Sequence, residues 1–190
     1  MPRPRKFDEE SAVAAAMAAF RATGYESTST EDLCTATGLG RSSIYNTFAS
    51  KHDLFTRSLA HYIDTVTTRQ IAMLESEAPA REKVWALLDE VVADETGDRL
   101  GCLVVNTSIE LAPRDPVVAE LLRKDYERRI GAMTQLFRRA QRDGEIAPDR
   151  DPEALAHFLS ASISGIRVAA RTGAGRGALK DIAATALAAL

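Results

Sequence analysis

The sequence predicts an all-α protein with a small N-terminal helix-turn-helix domain and a larger helical second domain, about nine helices in all. Three observations carry this. Apolar residues recur at helical rather than alternating spacing along nearly the whole chain. The breaks between periodic stretches fall on Gly and Pro, at Gly24, Gly38, Gly97, Gly101, Gly144 and Gly173 and at Pro79, Pro113, Pro116 and Pro152. Residues 28–48, TSTEDLCTATGLGRSSIYNTF, hold two short helical segments around a glycine turn.

Taken in order, the first segment is MPRPRKF, with Arg3, Arg5 and Lys6 as a basic arm. Such an arm can follow phosphates or an adjacent minor groove, or remain a solvated tail. From Phe7 to Thr23 the pattern Val13, Met17, Phe20 predicts a helix ended by Gly24, and Asp8, Glu9 and Glu10 suit its positive end. Thr28 with Glu31 forms a capping box, and Ser29 with Asp32 is a second register of the same pattern. Leu33 and Ala36 are expected to face a core. Gly38 ends this helix, and the next carries Arg41, Ser42, Ser43, Tyr45 and Asn46 on one side with Ile44 and Phe48 on the other.

Ser50 caps a long helix running to about Glu77 through Leu54, Phe55, Leu59, Tyr62, Val66 and Leu74. Pro79 opens another, through Trp85, Leu88 and Val92 to Gly97, and Gly101 opens a short one, GCLVVNTSIELA. A seventh, from about Pro116 to Asp143, carries the stripe Val118, Leu122, Tyr126, Ile130, Met133, Phe137, Ala140; at 1.5 Å per residue it is about 40 Å long. Pro152 starts an eighth with Leu155, Phe158, Leu159, Ser162 and Ile166 on one face. Its other face is lined by the small residues Ala156, Ser160, Ala161, Ser164 and Gly165. A last helix carries Leu179, Ile182, Ala186 and Leu187. Two terminal helices this apolar predict a four-helix bundle with a second copy of the chain. The expected division is residues 1–50, arm included, as the DNA-binding domain and 51–190 for ligand binding and dimerisation.

Composition bounds the function. In 190 residues, 45% are hydrophobic and 27% charged, an ordinary globular balance, and the net charge is −3. No run approaches the ~18 apolar residues of a membrane span, and the N-terminus lacks an apolar signal core, so a cytoplasmic protein without a membrane partner is expected. Residues 1–57 hold seven Lys or Arg and seven Asp or Glu. A nucleic-acid footprint must therefore be local. The two cysteines, Cys34 and Cys102, are in no metal-ligand spacing; no metal site and no cofactor is expected. The alternative, an all-helical enzyme or metal carrier, has only His52, His61 and His157 to draw on and no Glu-x-x-His pair, with Glu110 and His157 as its candidate core pair.

Gly24, Tyr25, Thr28, Leu33, Gly38, Leu39, Ser43, Tyr45, Phe48 and the Ser50-Lys51-x-x-Leu54 run resemble the DNA-binding half of TetR-type bacterial transcriptional regulators, over roughly residues 7 to 60. Cys34, Thr37 and Gly40 depart from the family's usual small alanines and capping Ser or Thr. The resemblance implies a homodimer on double-stranded operator DNA, most simply a repressor released by a small-molecule effector. Arg41 and Ser42, with Ser43 assisting, are placed to meet base edges. Thr28, Ser29, Tyr45, Asn46 and Lys51 are candidates for phosphate contacts, the Tyr45 and Lys51 roles coming from the resemblance. The effector pocket is expected between the later helices, lined by Trp85, Leu88, Val92, Cys102, Val105, Ile109, Met133, Phe137, Phe158 and Ile166, with Asn106, Tyr126 and Ser162 as orienting polar groups. Oxidation at Cys102 or Cys34 in place of a ligand is the alternative signal.

Overall fold

The computed structural model describes residues 8–97 and 100–190, so the arm residues Arg3, Arg5 and Lys6 lie outside the described residues. Among these are nine α-helices and no strand: α1 Glu9–Thr23, α2 Thr30–Thr37, α3 Arg41–Thr47, α4 Lys51–Glu75, α5 Ala80–Thr96, α6 Leu103–Glu110, α7 Pro116–Arg142, α8 Pro152–Arg171 and α9 Arg176–Ala188. The chain packs as two units. One comprises the described residues up to Thr65 with Cys102–Leu121; the other comprises the described residues of 66–101 with Leu122–Leu190. This differs from a division at residue 50. Both α4 and α7 contribute to the two units, and α6 belongs with the N-terminal helices.

In the first unit the helix ends are chemically defined. The Asp8 carboxylate accepts from the amides of Glu10 and Ser11, and Gly24 closes α1 at φ +87°, a conformation that needs no Cβ. The cap of α2 is Ser29, whose hydroxyl accepts from the Asp32 amide at 3.1 Å while the Asp32 carboxylate accepts from the Ser29 amide at 2.7 Å. Thr28 and Glu31 do not form the box. Thr28 is buried instead, its hydroxyl donating to the Gly24 carbonyl at 2.6 Å. Ala36 is exposed, leaving Leu33 as the buried anchor of α2. The core gathers Ala16, Phe20, Leu33, Ile44, Phe48, Leu54, Phe55 and Leu59, with Phe20 and Phe55 edge to face at 5.0 Å. From α6 and its flanks, Cys102, Leu103, Thr107 and Leu111 are also buried, and α6 packs on α1.

The second unit is built on α5, which packs against α8 and α9. Val84, Leu87, Leu88, Val91 and Val92 meet Leu155, Ala156, Leu159, Ile163 and Ile166 of α8 and Leu179, Ala183 and Ala186 of α9 in one apolar cluster that includes Met133 and Phe137 of α7. Pro79 offers no side chain to cap α5, and the Glu145 carboxylate accepts from the Ala80 amide at 2.7 Å in its place. The buried Asp125 carboxylate accepts from the Thr67 hydroxyl at 2.7 Å and from the Arg129 guanidinium at 2.9 Å, so this interior charge is both paired and hydrogen-bonded.

Candidate nucleic-acid interface and effector domain

Helix α3 has two sides. Ile44 and the following Phe48 are buried, at 1% and 0% exposure, and hold it to the core. Arg41, Ser42, Tyr45 and Asn46 are exposed, and Ser43 is half-buried. Gly38 takes a left-handed φ of +67°, turning the chain tightly enough for α2 and α3 to pack against each other. The Tyr45 hydroxyl is hydrogen-bonded to the Thr30 hydroxyl at 3.0 Å, and the Arg41 guanidinium lies 5.9 Å from the Tyr45 ring centre. Arg41 thus lies against the Tyr45 ring, and Tyr45 is held by a residue of α2, Thr30, that the sequence did not single out. No periodicity marks it; only the three-dimensional meeting of α2 and α3 does.

Lys51, at the start of α4, holds its ammonium 4.6 Å from the Tyr25 ring centre and 3.4 Å from the Glu26 carbonyl. Ser29 is exposed, but its hydroxyl proton is directed to the Asp32 carboxylate at 2.7 Å. Hydrogen bonds from that hydroxyl and from the Ser29 amide, with a contribution from Lys51, hold the Asp32 carboxyl below its ordinary value. The buried Thr28 offers no hydroxyl to a surface ligand, which removes it from the expected phosphate contacts. Arg57 is spoken for by Glu9 and Asp53.

The corner between α6 and α7 is anchored in the same unit. The Glu110 carboxylate accepts from the Tyr25 amide at 3.0 Å and from the Glu26 amide at 2.8 Å. Both Glu110 oxygens are thus used within the first unit, and His157 Nδ1 meets the Tyr126 hydroxyl at 2.7 Å within the second. Arg114 donates to the Glu26 carboxylate at 2.8 Å, and His52 Nε2 lies 2.5 Å from the Asp115 carboxylate. For Asp115, burial pushes the carboxyl up, but the α7 amides of Val118 and Val117 and the His52 ring outweigh it and hold the group below its ordinary value.

The residues expected to line an effector pocket fall into three sets. Leu88, Val92, Met133, Phe137 and Ile166 are in the apolar core of the second unit. Trp85, Tyr126 and Phe158 are surface residues, exposed because each lies off the α5, α7 or α8 face that packs in that core. Cys102, Val105, Asn106 and Ile109 lie in the first unit, with Ile109 70% exposed. Ser162 spends its hydroxyl on the Phe158 carbonyl. The second unit has a cleft of about 400 Å³ elsewhere, bordered by Glu75, Lys83, Arg139, Asp143 and Glu145. The expected dimer residues also divide. Ala156, Ser160, Leu179 and Ala186 are buried and Leu187 packs on the same core, because α8 and α9 use their small residues to approach each other and α5 within one chain. Ala161, Gly165 and Ile182 are exposed, and Ser164 half-exposed. Phe158 and Val168, 44% and 43% exposed, extend that outer stripe.

Both cysteines are free thiols, Cys102 buried and Cys34 half-buried. Among the described residues no three His, Cys, Asp or Glu side chains gather as a metal site, and no helix is long and apolar enough to cross a membrane.

A short exposed helix, seated by Ile44 and Phe48 and joined to its predecessor by a glycine turn, defines a helix-turn-helix DNA-binding protein. Comparison with known proteins makes this definite. The family model "Bacterial regulatory proteins, tetR family" matches residues 12–57, and "Tetracyclin repressor-like, C-terminal domain" matches residues 80–186. The chain belongs to the TetR family of bacterial transcriptional regulators. It is 33% identical over 188 residues to the HTH-type transcriptional repressor ComR of Escherichia coli K12, covering 97% of this chain and 90% of the relative. It is 29% identical over 184 residues, 95% of each chain, to the uncharacterised regulator YezE of Bacillus subtilis 168. Among solved structures, a cysteine-substituted CifR, a TetR-family regulator bound to 26-bp double-strand operator DNA, superposes with a TM-score of 0.87 at 34% identity, covering 98% of both chains.

Proposed function

We propose that the protein is a repressor that binds double-stranded operator DNA as a homodimer through α3 and is released by a small molecule taken up in the second unit. The exposed Arg41, Ser42, Tyr45 and Asn46 on a helix seated by Ile44 carry this reading. An α-helix fits the major groove, where an arginine bidentate to guanine contributes about 1–3 kcal/mol of discrimination. Arg41 and Ser42 then read base edges, while Tyr45, Asn46 and Lys51 hold phosphates. One such helix touches few base pairs, so two copies about 34 Å apart are needed. The outer stripe Phe158, Ala161, Gly165, Val168 and Ile182 supports a bundle of α8 and α9 with the same helices of a second copy. ComR is named a repressor, which supports the same sign of regulation here, and CifR bound to operator DNA supports the operator contact.

The test is selection of duplexes from a random-sequence pool. The unmodified chain should enrich a palindromic site. Arg41→Ala should relax preference at one position per half-site, and Tyr45→Ala should weaken binding across all sequences. An unchanged selected motif with both substitutions would remove α3 as the reader.

A further inference from the structure

Lys51 is not free on the surface of the first unit. Its ammonium is held over the Tyr25 ring at 4.6 Å and near the Glu26 carbonyl at 3.4 Å. Those two neighbours are in turn held by one side chain, since the Glu110 carboxylate accepts from the Tyr25 amide with one oxygen and from the Glu26 amide with the other, at 3.0 and 2.8 Å. Gly24 leaves the room this needs. A Cβ there would lie 3.0 Å from Glu110 Oε2, and its φ of +87° already disfavours any other residue. Arg114 pairs with the Glu26 carboxylate at 2.8 Å, so that side chain is engaged away from its own backbone carbonyl, the group that Lys51 meets.

We infer that Glu110 is a positioning residue for operator binding: it clamps the Gly24–Glu26 turn and thereby holds the Lys51 ammonium where a DNA phosphate is met. The inference rests on the proposed phosphate contact by Lys51. It gives an acidic side chain a role in binding an acidic ligand. Removing a negative charge near DNA should by itself strengthen binding, because it lessens repulsion of the phosphates. Positioning predicts the reverse. In Glu110→Gln one of the two accepting oxygens becomes an NH₂ facing a backbone N–H, so half of the clamp becomes donor against donor.

The experiment uses the full chain and a duplex selected from a random pool by the unmodified protein, titrated at several salt concentrations alongside thermal melts. Glu110→Gln is expected to weaken binding about tenfold and to lower the salt slope by about one per reading head, the signature of one lost phosphate contact. Lys51→Gln is expected to do the same alone. In the Lys51→Gln background, Glu110→Gln should then cost less than about twofold, since the two act through one contact. Glu110→Asp keeps the charge but is too short to reach both amides; it should behave like Glu110→Gln, and it replaces that variant if the latter melts below the assay temperature. Wild-type affinity and slope in both Glu110 variants, with Lys51→Gln weakened, would overturn the role of Glu110 alone. Additive losses with an unchanged slope would reduce it to a structural residue and overturn the inference. No effect of Lys51→Gln would remove the phosphate contact itself, and the inference with it.

Discussion

At Asp115 a single carboxylate performs two tasks. It caps α7, accepting from the amides of Val117 and Val118 at 3.0 and 3.1 Å, and it pairs with His52 at the start of α4. These contacts outweigh burial and leave the folded-state pKa below the ordinary carboxylate value, which is about 4. A group depressed on folding contributes stability that is present above its unfolded pKa and lost as pH falls through the folded one. The stability advantage of the unmodified protein over Asp115→Asn should therefore shrink as the pH falls below about 4. Urea midpoints measured across that range check it, and a gap that widened on acidification would contradict the assignment. At the same scale Thr30 and Glu110 have consequences out of proportion to their visibility. Neither interrupts a periodic pattern, yet one orders Tyr45 and the other pins the turn beneath Lys51.

The element that decides function, α3, is only seven residues long, and no helix of that length is stable alone. Its N-cap, Gly40, makes no side-chain hydrogen bond, so packing must supply what capping does not. Ile44 and the Phe48 that follows provide it, both essentially inaccessible to solvent. Ile44→Ala should destabilise the first unit by about 2–5 kcal/mol, the range for deleting a large buried aliphatic side chain. DNA binding should weaken beyond the unfolded fraction, because a loosened α3 pays ordering entropy on binding. Chemical denaturation with parallel operator titration measures both; retained stability would mean that α3 is seated by other contacts. Helix α6 repeats the lesson. Its buried Leu103 and Thr107, with the Glu110 clamp, commit it to the N-terminal helices although it follows α5 in the chain.

For the molecule as a whole, the outer stripe of α8 spaces Phe158, Ala161, Gly165 and Val168 at three- and four-residue intervals, with Ile182 exposed on α9. Phe158 and Val168 are each a little under half exposed, so burying the remainder against a second copy would contribute about 0.6–1.3 kcal/mol for each side chain. Placing a glutamate at Val168 or Phe158 should shift sedimentation at micromolar concentration from dimer toward monomer and leave helical content intact. Operator affinity should fall with it, since a single head reads only half a site. A variant that remains dimeric would move the interface to another face.

Much of the architecture is legible in the sequence. Helical spacing, Gly38 and the Ser29-Asp32 register determined the helix-turn-helix, and prolines and glycines marked the later helices, because local propensity and capping act over a few residues and are written in adjacent positions. Tertiary structure alone decided which side of each helix is used. It buried Thr28, Ala156, Ser160, Leu179 and Ala186, left Trp85, Tyr126, Phe158 and Ile109 on the surface, and placed α6 with the reading head. The reason is physical. Periodicity shows that a helix has an apolar stripe, whereas which neighbour covers it depends on contacts between segments as far apart as Tyr25 and Glu110, and no local pattern encodes these.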